Sequence, residues 1–243
     1  MSPELTNHPL IRADGSATHT TSLFTILAAV NGPIEVQRRD ELPEEAAIEV
    51  NIRPCAGIGG PRERWLESVL AALLKSVLLV HAHPRTLMQV TLQVLKEPSS
   101  GVRVRRRLGD VAVLPALVNA AFAACVDAGL PLGRTVVAGL AVVREDGDGV
   151  VVDPDEKALA GCRSVHAMGF DAQGELLLNE SGGQFELRQW QDVFEVLKTT
   201  AAVAIAPTGE DEAMMNGDGT PAPWLRQALE GNAREAGAWR GVG

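Results

Sequence analysis

Residues 114–129 read LPALVNAAFAACVDAG and are rich in small apolar side chains. Pro115 is tolerated in the first turn of a helix, where its missing N–H needs no partner, and Gly129 suits the position just after a helix end. The stretch therefore predicts a helix over about 114–128. Its many alanines allow neighbouring elements to approach this helix closely.

Elements of two different periods precede this helix. Residues 86–95, TLMQVTLQVL, have the length and the β-branched content of a strand. Over 62–80, apolar residues recur at spacings of three and four, which predicts an amphipathic helix. Further strands are expected at 23–30 and at 48–52. Gly32-Pro33 is a turn signal that is expected to end the first of them.

Strand patterns and a second amphipathic helix follow residue 129. Asp-Gly and Gln-Gly turn signals separate strand-like runs at 136–143, 150–153, 164–170 and 175–179, which predicts a meander. An apolar face over 187–206 predicts a helix that covers this sheet. The composition then shifts to Gly, Asp, Glu, Thr and Pro, which is typical of a flexible insertion.

The order of these elements predicts an α+β fold with two lobes, each made of several strands and one or two covering helices. The predicted parts are an N-terminal tail at 1–11, a first lobe at 12–134, a second lobe at 135–206, and a flexible insertion with a short terminal helix at 207–243.

Composition excludes several classes of protein. The 243 residues are 46% hydrophobic and carry a formal charge of -9, which excludes disorder throughout and argues against nonspecific coating of nucleic acid or anionic membrane. Cys55, Cys125 and Cys162 are too widely spaced for a disulfide framework, so we expect a reducing intracellular compartment. No signal peptide or membrane span is predicted. We expect no metal and no cofactor, because a P-loop lysine, dinucleotide-binding glycine spacing and a full metal-ligand set are missing.

The acidic sequence contains one dense basic run, RVRRR at 103–107. A guanidinium group donates two parallel hydrogen bonds to a phosphate, so the run could contact RNA, although a solvated surface loop explains it equally well. A second pair of arginines flanks Glu63, which favours surface ion pairs and weakens the case for phosphate binding. The candidate RNA-binding residues are Arg103, Arg105, Arg106, Arg107, Arg62 and Arg64.

A series of short motifs is spaced along the chain. In order, they are RADGSA (12–17), VNGPIE (30–35), RERWLE (62–67), HPR (83–85), TLQVL (91–95), NAAFAACVDAG (119–129) and VVDP (151–154). This ordered set resembles the RNase PH superfamily, and most closely a core subunit of the eukaryotic RNA exosome. The resemblance covers about residues 10–206.

The resemblance implies an RNase PH fold, with two lobes of mixed β-sheet packed with helices. It implies a place in a hexameric ring of RNase PH-like exosome subunits around an RNA channel, with capping RNA-binding subunits above and single-stranded RNA inside. The implied function is 3′–5′ RNA processing and degradation, including rRNA maturation and mRNA turnover, in the nucleus, nucleolus and cytoplasm and without a membrane partner.

The resemblance does not imply catalysis. Active members bind phosphate with a G-T-R turn before the N-A-A stretch, and the matching residues here are Val111, Ala112 and Val113. The aspartate that protonates the leaving oxygen matches Val165, and the adjacent His166 would have no reaction to serve without a phosphate site. Phosphorolysis needs both groups, and losing either typically lowers the rate about a hundredfold or more.

We therefore predict a noncatalytic structural subunit of the exosome ring that also contributes to the RNA channel. Two alternatives stay open: an active phosphate-dependent 3′–5′ exoribonuclease that works as a homo-oligomer, and a free-standing RNA-binding module.

Overall fold

A computed structural model describes residues 3–98, 106–145, 149–206 and 223–237, with side chains described for all of these except 106, 107 and 235–237. The strands are β1 (Glu4–Asn7), β2 (Gly15–Thr20), β3 (Thr25–Glu35), β4 (Ala47–Arg53), β5 (Thr86–Lys96), β6 (Val137–Arg144), β7 (Val150–Val152), β8 (Cys162–Phe170) and β9 (Leu176–Gly183). The helices are α1 (Pro61–Val77), α2 (Arg106–Ala112), α3 (Leu114–Asp127), α4 (Glu156–Ala160), α5 (Leu187–Ile205) and α6 (Trp224–Gly237). A short 3-10 turn at Val80–Ala82 precedes β5.

The first sheet has the order β1-β2-β3-β5-β4. Only β4 and β5 in this sheet are parallel, and α1 connects them, as a parallel pair requires. The predicted turn at Gly32-Pro33 is wrong, because β3 continues to Glu35. A bulge between Asn31 and Ile34 accommodates the extra residues, and Gly32 adopts a φ of 147° that favours glycine.

The second sheet has the order β7-β6-β8-β9 and is antiparallel throughout. The predicted strands are confirmed, but the predicted meander is wrong because β8 pairs with β6 rather than with β7. The three-residue β7 is too short to cover β6 and pairs only with Ala141–Val143, so it forms one edge of the sheet. Strand β9 forms the other edge. Helix α5 packs on β6 and β8 through Val193, Leu197 and Ala201.

Helix α3 lies between the two sheets and contacts β2, β3 and β6. Every residue from Leu114 to Cys125 is buried, so the alanines that the sequence shows are the surface on which both sheets pack. The window Leu108–Asp127 has the length and hydropathy of a membrane span, but 83% of it is buried inside the folded chain. The core therefore explains its apolar character, and the predicted α+β class is confirmed.

Both ends of the described chain join the first sheet. Strand β1 pairs with β2, so the segment predicted as a tail at 1–11 contains a strand. Helix α6 packs on β1 and α5, and the amide of Asn7 donates to the carbonyl of Ala228 over 2.8 Å. The ring of Trp224 stacks on His19 with 5.1 Å between ring centres. The predicted lobe boundary near residue 134 stays a prediction.

Candidate nucleic-acid interface

The structure pairs Arg62, one of the candidate RNA-binding residues, with acidic groups of the chain itself. Its Nε lies 2.7 Å from Oδ1 of Asp110 on α2, an ion pair rather than an aligned hydrogen bond. Its Nη1 lies 3.4 Å from a carboxylate oxygen of Glu97 and 3.9 Å from one of Glu63. The guanidinium thus links α1, α2 and the end of β5, and three carboxylates balance its charge. A phosphate would have to compete with them.

The other arginine at the start of α1 has a different environment. Arg64 is exposed, and within the described ranges no acidic group forms an ion pair with it. Helix α1 begins after Gly60, whose N–H donates to the Glu63 carboxylate over 2.6 Å. Glu63 is therefore buried as part of the helix cap. The sequence predicted Glu63 only as a partner in surface ion pairs and did not show this capping role.

The basic run at 103–107 lies at the edge of the described chain. Arg103 and Arg105 lie outside the described residues. Arg106 and Arg107 begin helix α2, and only their backbone is described. Helix α2, which also carries Asp110, packs as a whole on β8 and β9 of the second sheet. The role of the basic run in RNA binding stays a prediction.

Helices α1 and α2 and strand β9 enclose an open cleft of about 520 Å³, here called the polar cleft. It is lined by Pro61, Arg62, Trp65, Asp110, Val111, Glu180 and Ser181. The charged residues described in its lining are one arginine and two acids, and the arginine is already paired with Asp110. The described part of the polar cleft therefore repels phosphate groups rather than attracting them.

The residues that match the phosphate-binding turn lie in the core. Val111, Ala112 and Val113 are at most 3% exposed and join α2 to α3. Their side chains offer no donor to an anion. Val165 is fully buried in β8, so its side chain cannot reach a bound substrate.

His166 serves as a structural link between β8 and β9. Its two ring nitrogens form hydrogen bonds of 2.9 Å with the hydroxyls of Ser164 and Ser181. Burial lowers the pKa of His166 to about 4, so the imidazole is neutral at pH 7. A neutral imidazole that already has both nitrogens bonded is a poor proton donor for a leaving group.

The sequence does not show that the residues which shape this region lie together. Trp65, Asp110 and Ser181 come from three elements that are distant in the chain. Trp65 belongs to the RERWLE motif, but no local pattern connects it with the other two. Only the exposure of Trp65, which is 37%, marks it as different from the other apolar residues of α1. The same tryptophan also lines a second groove of about 490 Å³, which runs between α1 and residues 177–180 of β9 and is here called the α1–β9 groove.

Comparison with known proteins identifies the family. The family model described as "3' exoribonuclease family, domain 1" (RNase PH) matches residues 5–131. The chain belongs to the RNase PH family. The chain is also similar to a crystal structure of rice Rrp46, at a TM-score of 0.68 and 32% identity, over 79% of this chain and 86% of that chain. The family match and this similarity confirm the resemblance and the predicted RNase PH fold.

Two curated proteins of the RNase PH family are also similar to the chain. "Exosome complex component RRP46" of Saccharomyces cerevisiae is 31% identical over 194 residues, which cover 77% of this chain and 84% of the yeast protein. "Exosome complex exonuclease RRP46 homolog" of Oryza sativa is 38% identical over 151 residues, which cover 62% of this chain and 58% of the rice protein. An Archaeoglobus fulgidus exosome structure, at 15% identity and a TM-score of 0.64, shares the fold.

Proposed function

We propose that the chain is a noncatalytic subunit of an RNA exosome ring that supports 3′–5′ RNA processing and degradation, including rRNA maturation and mRNA turnover. The observation that carries this proposal is the similarity to yeast RRP46 over 84% of that protein's length, since its name makes it an exosome component. The partners would be other RNase PH-like subunits of a hexameric ring, capping RNA-binding subunits and single-stranded RNA. The complex would act in the nucleus, nucleolus and cytoplasm.

The chemistry of the described residues supports the noncatalytic part of the proposal. At the positions that match the phosphate-binding turn, the chain has buried aliphatic side chains at Val111, Ala112 and Val113. The position that matches the catalytic aspartate is Val165, and the neighbouring His166 is neutral and bonded at both nitrogens. Neither a held phosphate nor a general acid is available from these residues, and both are needed for phosphorolysis.

RNA contacts in the channel would come from Arg103, Arg105, Arg106 and Arg107, with Arg64 as a weaker contributor. Arg62 is the least suitable of the candidates because Asp110 and Glu97 already balance its charge.

Incubation of the purified full chain with single-stranded RNA and inorganic phosphate tests the noncatalytic part of the proposal. We expect no release of nucleoside diphosphates above the rate of a heat-denatured sample. The rice and Arabidopsis relatives are named exonucleases, which makes the active homo-oligomer the relevant competing function. Phosphate-dependent release of nucleoside diphosphates at an enzymatic rate would refute the proposal in favour of that alternative.

A further inference from the structure

The free edge of strand β9 faces a wall of α1 across the α1–β9 groove, and this wall has four apolar residues and two serines: Trp65, Ser68, Val69, Ala72, Leu73 and Ser76. The groove touches residues 177–180 in a row. Because successive strand residues point to opposite faces of a sheet, a groove that touches four of them in a row runs along the edge of the strand rather than over one face. Strand β9 is the last strand of its sheet, so the backbone groups on this edge have no partner strand within the described residues. Such an edge is a template for another strand.

The opposite wall is a stripe of α1 that does not face the core. Leu66, Leu70 and Val77 of α1 pack inward, whereas Trp65 and Ala72 are exposed on the groove side. No ring contact within the described residues involves Trp65, although tryptophan is a large apolar side chain that usually gains from burial. The groove thus combines an apolar anchor with unpaired backbone groups, which is the arrangement that binds extended peptides.

The charges of the groove distinguish between a polypeptide and RNA. No cationic side chain among the described residues lines the α1–β9 groove, and Glu180 lies at the end where it meets the polar cleft. Glu180 forms no ion pair with any residue in the described ranges. Arg62, the one cation that the structure describes in the adjoining polar cleft, is paired with Asp110. This acidic end repels a phosphate backbone and attracts a basic side chain.

We propose that the α1–β9 groove binds an extended segment of a partner polypeptide, which adds to β9 as a further strand. The segment packs an apolar side chain against Trp65 and Ala72, and places a basic residue beside Glu180. Four residues of β9, from 177 to 180, give an edge of roughly 13 Å at about 3.3 Å per residue, which is enough for a short strand. The proposal goes beyond the proposed function, because it names where a partner chain binds and in which conformation.

Amide hydrogen exchange on the assembly isolated through the full chain tests this proposal. We expect those amides of 177–180 that point away from β8 to exchange about tenfold or more slowly in the assembly than in the free chain, because these outward N–H groups gain carbonyl partners. Equal protection of β7, the opposite edge of the same sheet, would indicate a general effect and overturn the proposal. Protection that is lost on nuclease treatment while the partner chains stay bound would identify the occupant as RNA and overturn it too.

A pair of matched variants adds a second readout. Ala72→Arg places a long cationic side chain in the groove at an exposed helical position, and Ala202→Arg makes the same change at an exposed position of α5. We expect Ala72→Arg to abolish the protection of β9 and to lower partner recovery about tenfold. Ala202→Arg should leave both unchanged. Equal behaviour of the two variants would refute the proposal that the α1–β9 groove binds a partner segment. An assembly of different proteins in which β9 is not protected refutes the groove proposal and leaves the proposed function standing. An assembly of identical chains refutes the proposed function, and β9 protection within it still supports the groove.

Discussion

Asn119 joins the central helix to the second sheet, and its removal should destabilise the whole chain. Its Nδ2 donates to the carbonyl of Ala138 and its Oδ1 accepts the N–H of the same residue, both over 2.9 Å. The pairing of β6 with β7 ends at Ala141, so the side-chain amide of Asn119 takes the place of the strand partner that Ala138 lacks on this side. Asn119→Ala leaves two buried backbone groups unpaired, at about 1–3 kcal/mol each. We expect the free energy of unfolding to fall by about 2–6 kcal/mol, a large part of the roughly 5–15 kcal/mol that holds a typical domain.

Urea unfolding followed by tryptophan fluorescence measures this loss. The matched control is Asn179→Ala, which removes the same side chain from an exposed position of β9. Asn179 accepts a long, exposed hydrogen bond of 3.4 Å from Nε1 of Trp190, and its loss should change the unfolding free energy by less than about 0.5 kcal/mol. The dependence of unfolding on urea should keep the same slope in all three proteins, which shows that the native and unfolded states remain comparable. A loss below about 1 kcal/mol for Asn119→Ala would refute the reasoning, because it would mean that Ala138 finds other partners.

Three further stability predictions can be measured by the same unfolding assay. Gly15→Ala should lower stability by more than about 2 kcal/mol, because an added Cβ would clash with the backbone at the end of α3, whereas Gly231→Ala on the open side of α6 should raise it by about 0.5–1 kcal/mol. Burial lowers the pKa of His19 from 6.5 to about 4, so the unfolded state binds a proton at a higher pH than the folded state does. As the pH falls from 6.5 to 4, the free energy of unfolding should therefore drop by about 3 kcal/mol more in the parent chain than in His19→Phe. Arg62→Ala should lower stability by about 1–2 kcal/mol and Arg64→Ala by less than about 0.5 kcal/mol.

Each of these predictions has an outcome that contradicts it. Equal effects of the two glycine substitutions would mean that the end of α3 can move away from β2. A pH profile that is the same for the parent chain and for His19→Phe would mean that folding does not lower the pKa of His19. Equal effects of the two arginine substitutions would show that the ion pairs of Arg62 contribute nothing.

Elements with a strong local period could be predicted from the sequence. The helix predicted from the three-and-four spacing over 62–80 is confirmed as α1, and the strand predicted at 86–95 is confirmed as β5. Each element buries one side, and burial of one side produces a regular period. The small residues of α3 predicted close packing, and the structure shows why they are needed, since both sheets pack on this helix.

Features that depend on distant residues could not be predicted. Gly32-Pro33 is a turn signal in isolation, but pairing of Ile34 with Leu87 keeps β3 extended across it. The partner of Arg62 is Asp110, and no local pattern connects a residue at the start of α1 with one on α2. The α1–β9 groove likewise arises only when the second sheet is positioned beside the first. Local sequence patterns therefore predict the helices and strands, whereas the surfaces that distant elements form together cannot be predicted from them.

The composition of the assembly that forms around this chain tests the central claim most directly. Native mass spectrometry of the complex isolated through the full chain gives this composition in one measurement. We predict a heteromeric complex of about nine or more different proteins that contains a single copy of this chain. A ring built only from copies of this chain, or a chain that isolates alone, would contradict its proposed place as a subunit of an exosome ring.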